Sequence, residues 1–179
     1  MKKTKVQFTF GDSELSDIRT SLFFFSGFGQ FRIMGNERFI TGLDFNTAGV
    51  LPDKEITDLM RECEYQLNEY FSGKRMDFEL PVYVRGTPYN CSVWRELLHI
   101  PYGETISYAL LAKRIGNPGS VRAAGHANSM NPVSVIIPCH RVVGSSGNLT
   151  GYAGGLKLKK QLIDHEKLHS GQILDLKFE

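Results

Sequence analysis

Pro138-Cys139-His140-Arg141 sets a thiol directly beside an imidazole. A thiolate, not a thiol, is the attacking species, and a free cysteine titrates near pKa ~8.5, so a base or positive surroundings must help it ionise at neutral pH. His140 can act as that base, directly or through a water. An imidazole base needs a partner that fixes its tautomer, and the carboxylate best suited is Glu166 in His165-Glu166, near the end of a helix carrying Leu158, Leu162 and Ile163. Cys139, His140 and Glu166 are thus a candidate triad. A structural thiol beside a satisfied histidine is the competing reading, because neighbours on an extended strand point to opposite faces. A relay would need a turn after Cys139 or an intervening water.

The elements that must position these groups follow from spacing. Val133-Ser134-Val135-Ile136-Ile137 is rich in β-branched residues and predicts a buried strand that ends at Pro138. Upstream, Ser107 can cap a helix carrying Leu110, Leu111 and Ile115, which Gly116-Asn117-Pro118-Gly119 stops. A second helix runs from about Ser120 through Ala127. Two short helices around a glycine-containing turn make a helix-turn-helix candidate, although many helical hairpins never touch DNA. Ala123, Ala124, Gly125 and Ala127 leave the second helix without bulk, so it could approach a groove wall closely while reading few base edges. Arg122 can pair with phosphate, enter the base stack, or serve only as a surface cation.

The first half reads differently. Val6-Phe8-Phe10 alternates, and Phe31-Ile33 and Phe39-Thr41-Leu43-Phe45 flank Gly35-Asn36-Glu37, which predicts a β-hairpin. Leu51-Pro52-Asp53-Lys54-Glu55 suits a helix N-terminus, and Ile56, Leu59, Met60, Cys63, Leu67, Tyr70 and Phe71 continue at helical spacing until Gly73. Cys63 falls on that apolar stripe and reads as inert packing. Phe78–Val84 is a last strand or an extended linker, and Gly86-Thr87-Pro88 marks a junction, giving expected domains of 1–85 and 86–179. Val93, Trp94, Leu97 and Leu98 then mark an amphipathic helix, with Cys91 at its start and no evident partner for that thiol.

Composition narrows the class. Apolar residues are 41% and charged residues 22% of 179, an ordinary globular balance. No apolar run approaches the roughly 18 to 20 residues of a membrane span. The start reads as neither signal nor anchor, so no membrane partner and a cytoplasmic setting are expected. Three widely separated cysteines without a Cys-x-x-Cys pair fit a reducing compartment. The net charge of +2 hides an asymmetry, since residues 1–85 carry 11 Lys+Arg against 13 Asp+Glu and residues 86–179 carry 10 against 6. A basic second half points weakly toward a polyanion.

The stretch Asn131-Pro132-Val133-Ser134-Val135-Ile136-Ile137-Pro138-Cys139-His140-Arg141-Val142-Val143 closely resembles the reactive segment of the O6-alkylguanine-DNA alkyltransferases, the methylated-DNA:protein-cysteine methyltransferases. Ile100–Tyr108, Gly116-Asn117-Pro118, Gly151–Leu156 and His165-Glu166 support the likeness, which covers about residues 86–168. It implies an α/β (α+β) protein: an N-terminal ribonuclease-H-like sheet-plus-helix domain followed by a helical, winged-helix-like DNA-binding catalytic domain. It further implies that Cys139 accepts the alkyl group from O6-alkylguanine, with O4-alkylthymine as an additional lesion, activated through a water by His140, which Glu166 holds. Asn131 would brace the reactive turn. Tyr108 would crowd the target phosphate and protonate the departing guanine at N3, while Arg122 would fill the gap left by the flipped nucleotide.

In the same resemblance Ser120, Ala123, Ala124, Gly125 and Ala127 meet the minor groove of double-stranded DNA, and Tyr108, Val142, Tyr152 and Ala153 line the guanine pocket. Some members carry serine at the position of Ala153 and proline at that of Ser134. Certain members also hold a zinc in the N-terminal domain, but residues 1–85 contain only Cys63 and no histidine, so no metal is expected. No cofactor is implied, and the chain is expected to act as a monomer that repairs one lesion per molecule. Two rivals stand beside this reading: a non-catalytic lesion sensor, whose branch of the family lacks the acceptor cysteine, and a cysteine hydrolase, for which the helix pair and Arg122 would be superfluous.

Overall fold

The computed structural model describes residues 5–9, 20–45 and 56–171. Phe10 and the helix start expected at 51–55 lie outside them. Strands β1 (Lys5–Thr9), β2 (Thr20–Ser26), β3 (Gly29–Gly35), β4 (Ile40–Phe45) and β5 (Pro81–Arg85) form one mixed sheet in the order β1-β5-β4-β3-β2. β5 runs parallel to both β1 and β4, while β2, β3 and β4 form an antiparallel meander. The hairpin read at Gly35-Asn36 is present. The side chain of Asn36 shapes its turn by accepting from the amides of Arg38 at 2.8 Å and Phe39 at 2.9 Å. Phe78–Val84 resolves in favour of a strand, since β5 is paired on both sides rather than bridging as a linker.

Helix α1 (Asp58–Phe71) covers the sheet. Its cap is Thr57, whose hydroxyl accepts from the Met60 amide at 3.2 Å, so Ile56 precedes the helix rather than belonging to it. Met60, Cys63, Leu67 and Tyr70 share the buried stripe, and the Phe71 ring stacks on Phe28 at 4.7 Å and lies tilted against Phe31 at 4.8 Å. Burial pushes the Cys63 thiol far up, which keeps it protonated and unreactive.

The second half comprises α2 (Pro88–Leu97), α3 (Tyr108–Arg114), α4 (Val121–Ser129) and α5 (Gly155–His169), with β6 (Ile106–Ser107) paired in parallel to β7 (Val142–Val143). Thr87 caps α2, and Pro88 opens it where no amide bond is lost. Trp94 lies inward and donates its indole N–H to the Ala127 carbonyl at 2.8 Å, which fastens α2 to α4. The two halves share a boundary with specific bonds: the Leu43 amide donates to the Pro132 carbonyl at 2.9 Å, and Leu43 forms a bridge with Val133. Among the described residues, no helix is long and apolar enough to cross a membrane.

Candidate active site

The run Val133–Ile137 is not the strand its β-branched residues predict. It is a buried, tightly folded turn in which Ile136 N–H donates to Ser134 O at 2.8 Å and Ile137 N–H to Val133 O at 2.9 Å. Asn131 is the cause. Its Nδ2 donates to Ile137 O at 2.7 Å, and its Oδ1 accepts from Val133 N–H at 3.1 Å, so one side chain spans both ends of the turn. The strained residue is Val135, at φ 70, a left-handed conformation that β-branched side chains avoid. Complete burial of its apolar neighbours overrides that local preference.

Cys139 follows as the first residue of a single 3-10 turn, Cys139–Arg141, rather than at a strand exit. That turn removes the objection that neighbouring side chains must diverge. Asn128 Nδ2 donates to the Cys139 carbonyl at 3.2 Å and holds the turn against α4. The sulfur-bearing residue is only 4% exposed. Burial pushes the Cys139 thiol up, opposed by hydrogen bonding from Asn131, the nearby Lys159 charge, and hydrogen bonding from Ser134. The resting group is therefore a thiol that needs a proton acceptor.

His140 is fully buried, with Nε2 at 2.8 Å from Glu166 Oε1. An ionised carboxylate can only accept, so Nε2 carries the hydrogen and Nδ1 keeps its lone pair in the neutral ring. Nδ1 has no hydrogen-bond partner among the described residues. Burial lowers the His140 pKa, with Glu166 working the other way, and the ring is neutral at pH 7. Glu166 accepts from Tyr70 Oη at 2.6 Å, from Arg141 Nε at 2.8 Å and Nη2 at 2.9 Å, and from the Gly103 amide at 3.1 Å. Burial alone would raise its pKa, yet His140 and Arg141 hold the carboxyl well below the usual carboxylate range. Gly103 can approach so closely because it has no Cβ: at φ 81, a side chain there would meet Ser170 at 2.6 Å.

Tyr70, Gly103 and Arg141 were not among the residues singled out from sequence, and neither was Lys159. Lys159 is fully buried, and its ammonium donates to the Thr150 carbonyl at 2.9 Å and the Tyr108 hydroxyl at 3.3 Å. It links the loop ahead of α5 to the start of α3. Tyr108 itself is partly buried at the first turn of α3, with its ring facing Gly125, where an added Cβ would lie 3.6 Å from it. Of the expected pocket residues, Val142 is buried, Tyr152 is partly buried with its hydroxyl unpartnered among the described residues, and Ala153 is exposed. Burial and the neighbouring Cys139 and Glu166 push the Tyr152 phenol well above its ordinary range.

The helix pair forms as read, with α3 capped by Ser107 and α4 beginning at Val121. Arg122 and Ala123 are exposed on α4 and Gly125 is half-buried, but Ala124 and Ala127 are buried. Those two therefore do not face a groove. Helical spacing turns them onto the inner stripe, where their small size lets α2 and α3 pack close. Ser120 is half-buried and engaged locally: its hydroxyl donates to Asn117 O at 2.7 Å and accepts from Tyr89 Oη at 2.8 Å. Among the described residues no group of three or more His, Cys, Asp or Glu side chains could hold a metal ion.

Fold and site together define a mixed α/β protein whose two halves enclose a cysteine beside an imidazole and carboxylate. Residues 88–168 match the DNA binding domain of 6-O-methylguanine DNA methyltransferase, and residues 22–84 match the ribonuclease-like domain of the same family. A methylated-DNA--protein-cysteine methyltransferase of Methanosarcina barkeri is 44% identical over 147 residues, covering 79% of this chain and 93% of the relative. One from Mycobacterium bovis is 52% identical over 102 residues, covering 57% of this chain and 62% of that protein, which is less than two thirds of its length. The crystal structure of Mycobacterium tuberculosis O6-methylguanine methyltransferase superposes with a TM-score of 0.76 at 39% identity, covering 84% of this chain and 93% of that one. The Mycobacterium tuberculosis OGT structure in complex with DNA gives 0.77 at 39% identity, with coverages of 84% and 94%. The chain belongs to the 6-O-methylguanine DNA methyltransferase family.

Proposed function

We propose that this chain repairs DNA by moving an alkyl group from guanine O6 to Cys139, once per molecule. The observation that carries the reading is the fully buried His140, tied to Glu166 through Nε2 with Nδ1 left without a partner, one residue from the thiol. The thiol proton passes to Nδ1 through a water as sulfur attacks the alkyl carbon. The S–C bond forms, the C–O6 bond breaks, and its electron pair leaves on the guanine, which Tyr108 protonates at N3, leaving a phenolate beside the Lys159 ammonium at 3.3 Å. His140 then holds one extra proton, stabilised by Glu166. Because a thioether is a poor leaving group, the product cysteine does not regenerate.

The substrate reading uses the α3–α4 pair as a helix-turn-helix on the minor groove. Arg122 is exposed in the first turn of α4, where it can occupy the space of a displaced nucleotide, and Ala123 and Gly125 permit close approach. Flipping is needed because a sulfur this deeply buried cannot meet an O6 atom inside the base stack. Val142, Tyr152 and Ala153 would border the extruded base, with O4-alkylthymine as a second substrate. The same reading divides the chain into 1–85 and 86–179 and has it act as a cytoplasmic monomer. Incubation with a duplex carrying O6-methylguanine, followed by intact mass measurement and peptide mapping, tests it. One methyl increment on Cys139 is expected. Tight binding with no mass change would indicate a lesion sensor, and repeated turnover of an ester or peptide would indicate a hydrolase.

A further inference from the structure

The geometry points to Tyr70, in the N-terminal half, as a positioning residue for the reactive centre: its hydroxyl holds the Glu166 carboxylate that orients His140. This inference rests on reading Cys139 as nucleophile and His140 as its base. Tyr70 donates to Glu166 Oε1 at 2.6 Å, the same oxygen that accepts from His140 Nε2 at 2.8 Å and Arg141 Nη2 at 2.9 Å. Tyr70 is completely buried and held from its other end, because His165 Nε2 lies 2.7 Å from the Tyr70 carbonyl. Its ring is also packed edge-on to Tyr102 at 5.9 Å and tilted against Phe78 at 5.5 Å.

The chemical consequence follows from charge sharing. Each donor to Oε1 withdraws negative charge from it, so an oxygen relieved of the phenol would draw harder on the His140 Nε2 hydrogen and stabilise the imidazolium. Tyr70 thereby keeps His140 a neutral base with Nδ1 free. The other groups facing this pair are Arg141 from the 3-10 turn, Tyr102 from the segment after α2, Tyr152 from the loop before α5, and Lys159 and His165 from α5. Arg141 and Lys159 oppose a second positive charge on His140, and Glu166 alone among the charged groups favours it. The hydroxyl of Tyr70 is thus set against the one group able to over-protonate the base.

Tyr70→Phe keeps the ring and deletes the donor. In single-turnover methyl transfer from an O6-methylguanine duplex, the acid limb of the pH–rate profile should move upward by about half a unit or more, making transfer about threefold slower below that limb. A residue that only packs would lower the melting temperature and leave the limb in place, and superimposable profiles would overturn the inference. A second readout needs neither the variant nor DNA: 15N spectra of histidine-labelled wild-type protein should show His140 at pH 7 protonated on Nε2 and bare on Nδ1. An Nδ1–H tautomer or an imidazolium there would overturn it as well. If the wild-type protein takes no methyl group, the functional reading fails while the ring-nitrogen spectrum, repeated on Tyr70→Phe, still decides the role of Tyr70.

Discussion

Asn131 and Ile137 are joined by a 2.7 Å hydrogen bond from side-chain amide to backbone carbonyl, and that bond closes the turn on which Cys139 stands. The same side chain serves the Val133 amide. Asn131→Ala would strip two buried backbone groups of their partners while Val135 remains strained at φ 70. A loss of about 2–4 kcal/mol is expected in chemical denaturation. Asn131→Asp keeps the acceptor for Val133 but sets a carboxylate oxygen against the buried Ile137 carbonyl, so it should cost at least as much as alanine.

Glu166→Gln leaves Arg141 without its carboxylate in a site where Glu166 is 1% exposed. The expected destabilisation is about 3–5 kcal/mol, the range for breaking a buried pair from one side. His140→Ala spares that pair and should slow methyl transfer by about a hundredfold or more, measured in a single turnover. An unchanged rate in His140→Ala would exclude it as the base.

Two groups bind fewer protons in the folded chain than in the unfolded one. Burial lowers His140, while His140 and Arg141 hold Glu166 down against the effect of burial. For both, the stabilisation is complete above the unfolded pKa and is lost as pH falls toward the folded one. Stability should therefore begin to decline below about pH 6.5 with His140 and fall more steeply below about pH 4 as the unfolded carboxyl takes up protons. Melting curves across that range check the sign, and Glu166→Gln should flatten the lower segment.

Arg122→Ala should slow repair of duplex DNA much more than reaction with free O6-benzylguanine, because an exposed cation at the start of α4 acts on the helix and not on the thiol. Equal slowing would remove the case for an intercalating arginine.

Lys159→Met makes the contrasting variant. It withdraws a buried charge that opposes the rise in the Cys139 pKa and frees the Thr150 carbonyl and Tyr108 hydroxyl. Both duplex and free-base reactions should slow at neutral pH, with recovery as pH is raised. A defect confined to duplex DNA would place Lys159 in binding instead.

Local chemistry made much of this molecule legible. Ser107 ahead of α3 and the Asn36 turn depend on bonds spanning a few residues, which the sequence displays directly, whereas Gly86-Thr87-Pro88 reads as a junction and the structure makes Thr87 the cap of α2. Strand β2 escaped because Leu22-Phe23-Phe24-Phe25 has no polar residue to reveal its period; Phe24 is buried and Phe25 is 75% exposed though both are phenylalanine. The reactive turn is not the strand its sequence predicts because Asn131 imposes a fold against the preference of four β-branched residues, Val133, Val135, Ile136 and Ile137. Tyr70, Gly103, Arg141 and Lys159 stayed hidden for another reason. Each meets a partner at least 25 residues away, and even Arg141, which stands inside the Pro138–Arg141 motif, carries no local sign that Glu166 is that partner.

The bond from the Leu43 amide to the Pro132 carbonyl turns a single N-terminal proton into a gauge of the reactive turn. Hydrogen exchange of the Leu43 amide should be slow only while Pro132 remains docked on β4. A variant, a ligand or an alkylated cysteine that loosens the Asn131 turn would announce itself there, about ninety residues earlier in the chain.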